Sequence, residues 1–293
     1  MENLKIKPFL KWAGGKSQLL TNIRLKYPKQ ITSYCEPFVG GGAVLFDILS
    51  LKQPEFILIN DINYELINTY RQVQKNIKNL IRELAEIQET YWQFSHEERK
   101  KYYYAKRQRF NQLKNKTGNE LEQAVLFIFL NKTCFNGLYR VNKQGLFNVP
   151  MGSYKKPIIC DRENLQLVSN LLQGVTIQCG DFCQCLDFIQ ENTFVYLDPP
   201  YRPLNDTASF TAYDKKVFDD REQIRLQQFI NQISNIGAKI ILSNSDPKNY
   251  NKNDNFFDNL YQEYTIQRIP AKRMINCNGA NRGNVSELLI CNY

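Results

Sequence analysis

SYCEPFVGGGAVLFDILSLKQPEFILIND, residues 33–61, decides the fold. Residues 33–39 are a short strand-like run, 43–51 reads as a helix, and 55–60 is a second apolar strand-like run. Gly40, Gly41 and Gly42 stand between the first strand and the helix. Strand, glycine turn, helix and strand in this order open a doubly wound α/β fold. A helix N-terminus behind glycines lets a ligand come close to exposed backbone N–H groups. Asp61 ends the second strand, 21 residues after Gly40. A carboxylate there can take both hydroxyls of a ribose. Leu45 stands where the dinucleotide pattern G-x-G-x-x-G has its third glycine. That argues against a nicotinamide dinucleotide and leaves open other adenosine-containing ligands, or a turn that is only structural.

Outward from this unit the period changes. Leu66, Ile67, Tyr70, Val73, Ile77, Leu80, Ile81, Leu84 and Ile87 recur at three and four, one apolar stripe of a long helix. Residues 97–114 read as a strongly basic helix and 120–131 as a buried one. Residues 132–158 are loop-like, with Gly137, Gly145, Pro150, Gly152 and Pro157. The α/β pattern then returns. Asp161 is a candidate N-cap for a helix ending near Gly174, and 219–236 is a helix closed by Gly237. Strands are predicted at 175–179, 193–198, 238–243, 263–269 and 285–291. The expectation is an α/β domain split over 1–62 and 161–293, with a helical insertion at 63–160.

The chain has 293 residues, 43% of them hydrophobic, which excludes a wholly disordered protein. Its longest apolar run, the seven residues Ala124–Leu130, falls short of the ~18–20 that a membrane span needs. No apolar stretch of signal-peptide length follows Met1, so a soluble, cytoplasmic protein is expected. The net charge of +9 fits a polyanionic partner. His96 is the only histidine, which disfavours a Ser-His-Asp hydrolase. The eight cysteines form no CxxC pair. Cys179, Cys183 and Cys185 cluster, but without a nearby histidine they read as reduced core thiols, and no metal is expected. AGGKS at 13–17 imitates the end of a P-loop, yet Leu10 sits where the first glycine belongs, so a nucleoside triphosphatase is disfavoured. Trp12 and Lys16 read either as ligand-facing residues on a glycine-softened loop or as a core tryptophan and a surface lysine.

TFVYLDPPY at 193–201 carries the chemistry. A hydrophobic strand stops in Asp198-Pro199-Pro200-Tyr201, and ligands of open α/β sheets bind beyond the carboxyl ends of strands. Two prolines fix φ near −65° and remove two backbone donors. What remains is a rigid cup of acceptors, the Asp198 carboxylate and the Pro199 carbonyl, beside the flat face of Tyr201. Such a cup suits an exocyclic amino group on a planar base. An Asx-Pro turn with no ligand is the plainer reading.

KWAGGK (11–16), FVGGG (38–42), NGLYRVN (136–142), FNVPMGSYKKP (147–157), DPPYRPLNDTASFTAYDKKVF (198–218), ILSNSD (241–246) and RMINCNGANRGNVSELLICNY (273–293) together resemble the Dam-type DNA adenine-N6 methyltransferases. The likeness covers nearly the whole chain, in the order cofactor motif, recognition region, catalytic motif. It implies a Rossmann-like class I methyltransferase domain with a mixed sheet and an inserted helical DNA-recognition subdomain. It also implies S-adenosylmethionine as cofactor. Trp12 and Lys16 would lie over the cofactor, and Asp61 would bind the ribose. Phe38, Gly40 and Gly42 would line the methionine part, Asp181 and Phe182 would flank the adenine, and Asp198 would border the site. The target adenine would be flipped out of the duplex. Tyr201 would stack on it, and Asp198, Pro199 and Pro200 would form the acceptor turn.

The resemblance assigns base reading to the loop at 135–150, with Arg140 reaching guanine O6 and N7. Asn136, Leu138 and Pro150 would help read or wedge the site and Lys11 would add a contact, with GATC as the family precedent. RKKYYYAKRQR at 99–109 holds six basic residues and three tyrosines, suited to phosphates or to a solvated helix face. The loop Lys272–Arg282 is a further candidate DNA contact. Double-stranded DNA is the expected partner, and the family leaves room for a cognate restriction endonuclease. A non-catalytic DNA-binding relative and a methyltransferase for another amino group are the alternatives. A nicotinamide dehydrogenase would share the fold type but explain neither DPPY nor the basic insertion.

Overall fold

A computed structural model describes residues 6–114, 116–202, 218–272 and 284–293. In chain order the described elements begin with α1 (Leu20–Arg24), β1 (Ser33–Glu36), α2 (Ala43–Leu51) and β2 (Phe56–Asp61). Four helices follow, α3 (Tyr64–Lys75), α4 (Ile77–Gln93), α5 (His96–Gln112) and α6 (Glu120–Thr133). The chain continues with α7 (Arg162–Leu171), β3 (Thr176–Cys179), β4 (Phe194–Leu197), α8 (Asp220–Ile236) and β5 (Lys239–Ser245). It closes with α9 (Phe256–Leu260), β6 (Thr265–Lys272) and β7 (Asn284–Cys291).

Seven strands among the described residues form one sheet in the order β3-β2-β1-β4-β5-β7-β6. The first five strands pair in parallel, and β7 lies antiparallel to both β5 and β6. The fold is α/β and Rossmann-like, with a mixed sheet. β1 has parallel neighbours on both sides, β2 and β4, so the crevice between the turns leaving β1 and β4 is the topological switch point.

The strands are apolar on both faces because both faces are covered. On one side Tyr34, Ile57, Ile59, Phe194, Tyr196 and Ile241 join a cluster that runs on into α3, α4, α5 and α6. On the other, Cys35, Leu58, Val195, Leu197 and Leu242 pack against Leu226, Phe229, Ile230 and Ile233 of α8. Successive residues change cluster, as the period-two pleat demands. Ala124–Leu130 of α6 are buried all round the helix, which makes α6 the axis on which α3, α4 and α5 pack.

Capping follows the sequence. Asn63, Asp161 and Asp219 accept from the first turns of α3, α7 and α8. Ser95 and Glu98 form a capping box on α5, and Gly237 ends α8 at φ 96°. Two expectations change. The stripe over 64–87 belongs to two helices, because Asn76 leaves helical geometry (φ −131°, ψ 27°) between α3 and α4. The loop-like 132–158 contains a hairpin, with antiparallel bridges Cys134–Met151 and Val141–Phe147. Alternation is too short there to show in the sequence.

Candidate active site

The turn after β1 is built around Trp12. Gly40 and Gly42 sit at φ 47° and 73°, and a Cβ at Gly40 would lie 2.9 Å from the Trp12 ring. Gly40 therefore serves a close approach by Trp12 as well as any ligand, whereas a Cβ at Gly42 would run into Tyr70 and Phe46. The other face of Trp12 stacks on Tyr139 and Phe127, at 5.9 and 6.4 Å between ring centroids. Asp61 accepts from the Gly40 N–H (3.1 Å) and the Asn63 N–H (3.0 Å), which ties the glycine turn to the end of β2. Asn60, 1% exposed, donates to Pro37 O and Gly180 O, and its Oδ1 has no hydrogen-bond partner among the described residues.

Asp198 follows β4. Its Oδ1 lies 2.7 Å from Lys16 Nζ, and no hydrogen bond reaches Oδ2 among the described residues. Lys16 is 3% exposed, which sets aside the alternative of a surface lysine. Its ammonium also donates to the Tyr201 hydroxyl (2.9 Å) and Gly14 O (3.1 Å), so all three donors are used. The P-loop imitation is thus a lysine aimed at a carboxylate. Burial alone would lower the Lys16 pKa, but Asp198, Tyr201 and Glu287 together raise it. Burial pushes the Asp198 carboxyl up to about 6, with the Lys16 charge restraining the rise and Glu287 adding to it. Tyr201 is 38% exposed, and Lys16 Nζ lies 5.0 Å from its ring centroid.

Asp181, after β3, is gripped by Arg225 of α8, with bonds of 2.9 and 2.7 Å to its two oxygens. Arg225 holds Asp181 down to about pKa 2 against the opposing effect of partial burial. The same guanidinium lies 4.2 Å over the ring of Phe182, which is buried beside Phe38. Cys183 accepts from Arg225 at 3.2 Å, and Cys185 is buried, so two of the three clustered thiols are packed into this corner.

The hairpin gathers the expected base-reading residues. Asn136 (φ 55°), Arg140 and Pro150 are exposed and Leu138 is half-buried. Asn148 accepts from Arg140 Nε at 2.8 Å, which braces the guanidinium. Lys11 is beside them, its Nζ donating to the Tyr154 hydroxyl at 3.2 Å. Asn131 of α6 exchanges two hydrogen bonds with the Lys11 backbone and donates to Gly137 O. The basic helix α5 is more than a charged face. Tyr103 and Arg107 donate to Val149 O and Arg99 to Lys155 O, bracing the hairpin and its exit, while Arg99 also donates to Tyr91 O and Trp92 O at the end of α4. Lys100 and Lys101 remain exposed.

Three contributors were not singled out from sequence. Arg225 gives no signal there. Asn131 lies inside an apolar helix, where a polar residue among buried neighbours is a readable sign. Glu287 lies 3.7 Å from Lys16 Nζ and stands on β7 among Val285, Leu289 and Cys291, the inward-facing positions of its alternation. The stretch 203–217 of the catalytic motif and the loop at 273–282 lie outside the described residues.

Residues 12–275 match the D12 class N6 adenine-specific DNA methyltransferase family. A Type II methyltransferase, M.MjaIII, of Methanocaldococcus jannaschii is 48% identical, over 99% of this chain and all of the relative. Type II methyltransferase M1.LlaDCHI of Lactococcus lactis is 36% identical over 99% of this chain and 96% of the relative. The DNA adenine methylase of Escherichia coli K12 is 34% identical over 97% and 95%.

Proposed function

The chain belongs to the D12 class of N6 adenine-specific DNA methyltransferases, and on that premise we propose that it methylates a flipped-out adenine within GATC, using S-adenosylmethionine. The observation that carries this reading is the Asp198 corner, an ionisable carboxylate held by Lys16 through one oxygen beside a partly exposed tyrosine.

The donor set fits the cofactor. Asp61 stands at the β2 terminus for ribose hydroxyls, Asp181 for an amino group, and Phe38 and Phe182 for an adenine face. Trp12 closes over the glycine turn, and Asn60 bridges the loops that carry Pro37 and Gly180 through Nδ2, its Oδ1 having no hydrogen-bond partner among the described residues. When bound, S-adenosylmethionine supplies an activated methyl group. The chain's own residues orient the acceptor. Tyr201 stacks on the extruded base, at an unstacking cost of a few kcal/mol. Asp198 Oδ2 and the Pro199 carbonyl accept the two N6 hydrogens. Both held hydrogens favour tetrahedral nitrogen, which frees a lone pair otherwise delocalised into the ring. Preorganised acceptors and alignment then lower the barrier. The proton becomes acidic only after transfer, so Asp198 need not be a strong base.

Residues 63–160 act in this reading as the target-recognition insertion and 1–62 with 161–293 as the catalytic domain. Arg140 reads a guanine, Asn136, Leu138 and Pro150 shape the site, and Lys11 adds a backbone or base contact. Exposed Lys100 and Lys101 meet phosphates. The Type II name of the most identical relative cited supports a cognate restriction endonuclease as partner, with action on cellular DNA in the cytoplasm. Methylation of plasmid DNA by the purified protein, followed by mapping of modified bases, tests activity, base and site at once. Modification of cytosine, or of adenine outside GATC, would overturn the corresponding part.

A further inference from the structure

We propose that Glu287 is a positioning residue for methyl transfer, acting through Lys16 to fix the Asp198 carboxylate and to leave the acceptor corner net negative. The proposal rests on the reading of Asp198 as the adenine acceptor.

Topology puts Glu287 there. β7 runs against the parallel strands, and Glu287 is level with Ser245, the last residue of β5. It therefore lies at the carboxyl edge of the sheet, where β4 delivers Asp198. Its strand neighbours on the same face, Leu289 and Cys291, are buried in the core. A carboxylate at such a position is costly unless something uses it. Its Oε2 is buried, has no hydrogen-bond partner among the described residues, and stands 3.7 Å from Lys16 Nζ. The three Lys16 donors already go to Asp198, Tyr201 and Gly14, so Glu287 acts on the ammonium by charge and not by a hydrogen bond.

The charge count explains why a second carboxylate is useful. Lys16 and Asp198 alone cancel. Methyl transfer makes the N6–carbon bond and breaks the carbon–sulfur bond, so a positive charge moves onto N6 before its proton leaves. A neutral corner offers that charge no net attraction. Lys16, Asp198 and Glu287 together carry one negative charge, fixed in place before the reaction begins. The same arrangement lets Lys16 hold Asp198 by Oδ1 while Oδ2 stays available to the amino group.

Among the described residues the groups facing Asp198 are Lys16 and Tyr201 at the corner, Tyr196 on β4, Glu36 at the end of β1, and Glu287. Glu287 opposes ionisation of Asp198, so removing its charge must move the acid limb of kcat/KM to lower pH. A purely structural Glu287 would alter the melting temperature but leave that limb in place.

The test is Glu287→Gln, assayed with cofactor and cognate DNA across pH 5–8, beside the wild-type enzyme. We expect kcat to fall at least about tenfold, the acid limb to move down, and cofactor KM to hold. Glu287→Met fills similar space without charge and carries the same prediction should the glutamine variant not fold. Glu287→Asp keeps the charge and should keep the wild-type limb. A wild-type limb and kcat in the folded, uncharged variants would overturn the proposal. Absence of adenine methylation by the wild-type enzyme would instead overturn the reading of Asp198 on which it rests.

Discussion

Asn131 and Lys11 are joined across 120 residues by two hydrogen bonds, Lys11 N–H to Asn131 Oδ1 at 2.8 Å and Asn131 Nδ2 to Lys11 O at 2.7 Å. The same amide donates to Gly137 O at 3.1 Å, so one buried side chain clamps the segment at Lys11 to the hairpin at 134–151. That segment continues through Trp12, stacked on Tyr139, to Lys16 on Asp198. The hairpin and the Asp198 corner share a single strap of six residues, 11–16.

Asn131→Ala leaves three backbone groups without this partner at a position 4% exposed. We expect a stability loss of about 1–3 kcal/mol in urea unfolding. Turnover on cognate DNA should fall further than the folded fraction does, because the strap loses its register. Wild-type stability in this variant would dismiss the clamp.

Asp198 gives the pH dependence. Its carboxyl is raised by burial to about 6, and a protonated acid cannot accept both as a hydrogen-bond base and as a charge. kcat/KM should therefore be flat above about 6 and decline as pH falls through it. Lys16 restrains this pKa, so Lys16→Met should move the limb upward, opposite in sign to removal of Glu287. Asp198→Ala should abolish transfer while DNA binding survives in a gel-shift assay. Turnover in that variant would remove Asp198 from its role.

Arg140 is exposed and braced by Asn148. Arg140→Ala should relax discrimination at one guanine by about 1–3 kcal/mol, read as the ratio of kcat/KM on single-substituted sites. Unchanged site preference would exclude Arg140 from reading.

Asp61 spans Gly40 and Asn63. Asp61→Ala should weaken cofactor binding by calorimetry and loosen the glycine turn with it. Unaltered binding would argue against a ribose contact.

Much of this was legible in the sequence. The strands are short, strongly apolar and bounded by turns, and the glycine turn, Asp61 and DPPY are local signals at predictable strand ends. Asn76 hid the break between α3 and α4, because the apolar spacing runs through it unchanged. The hairpin at 134–151 is fixed by α5 and α6 and not by its own alternation. Lys16 and Glu287 owe their meaning to a meeting of distant segments, which no spacing rule encodes. The basic run at 99–109 reads equally as phosphate contacts or a solvated helix face, because composition cannot show that Arg99 and Arg107 donate to backbone carbonyls.

β7 lies between β5 and β6, and it carries Glu287 to the corner that Lys16 occupies from the other end of the sequence. Among the described residues the sixth position of the sheet is filled by the strand latest in the chain, so the sheet is complete only with residues through Cys291. Such long-range closure is slow compared with local helix formation. The segments that carry the glycine turn and DPPY thus precede in the chain the strand that brings Glu287 to Lys16.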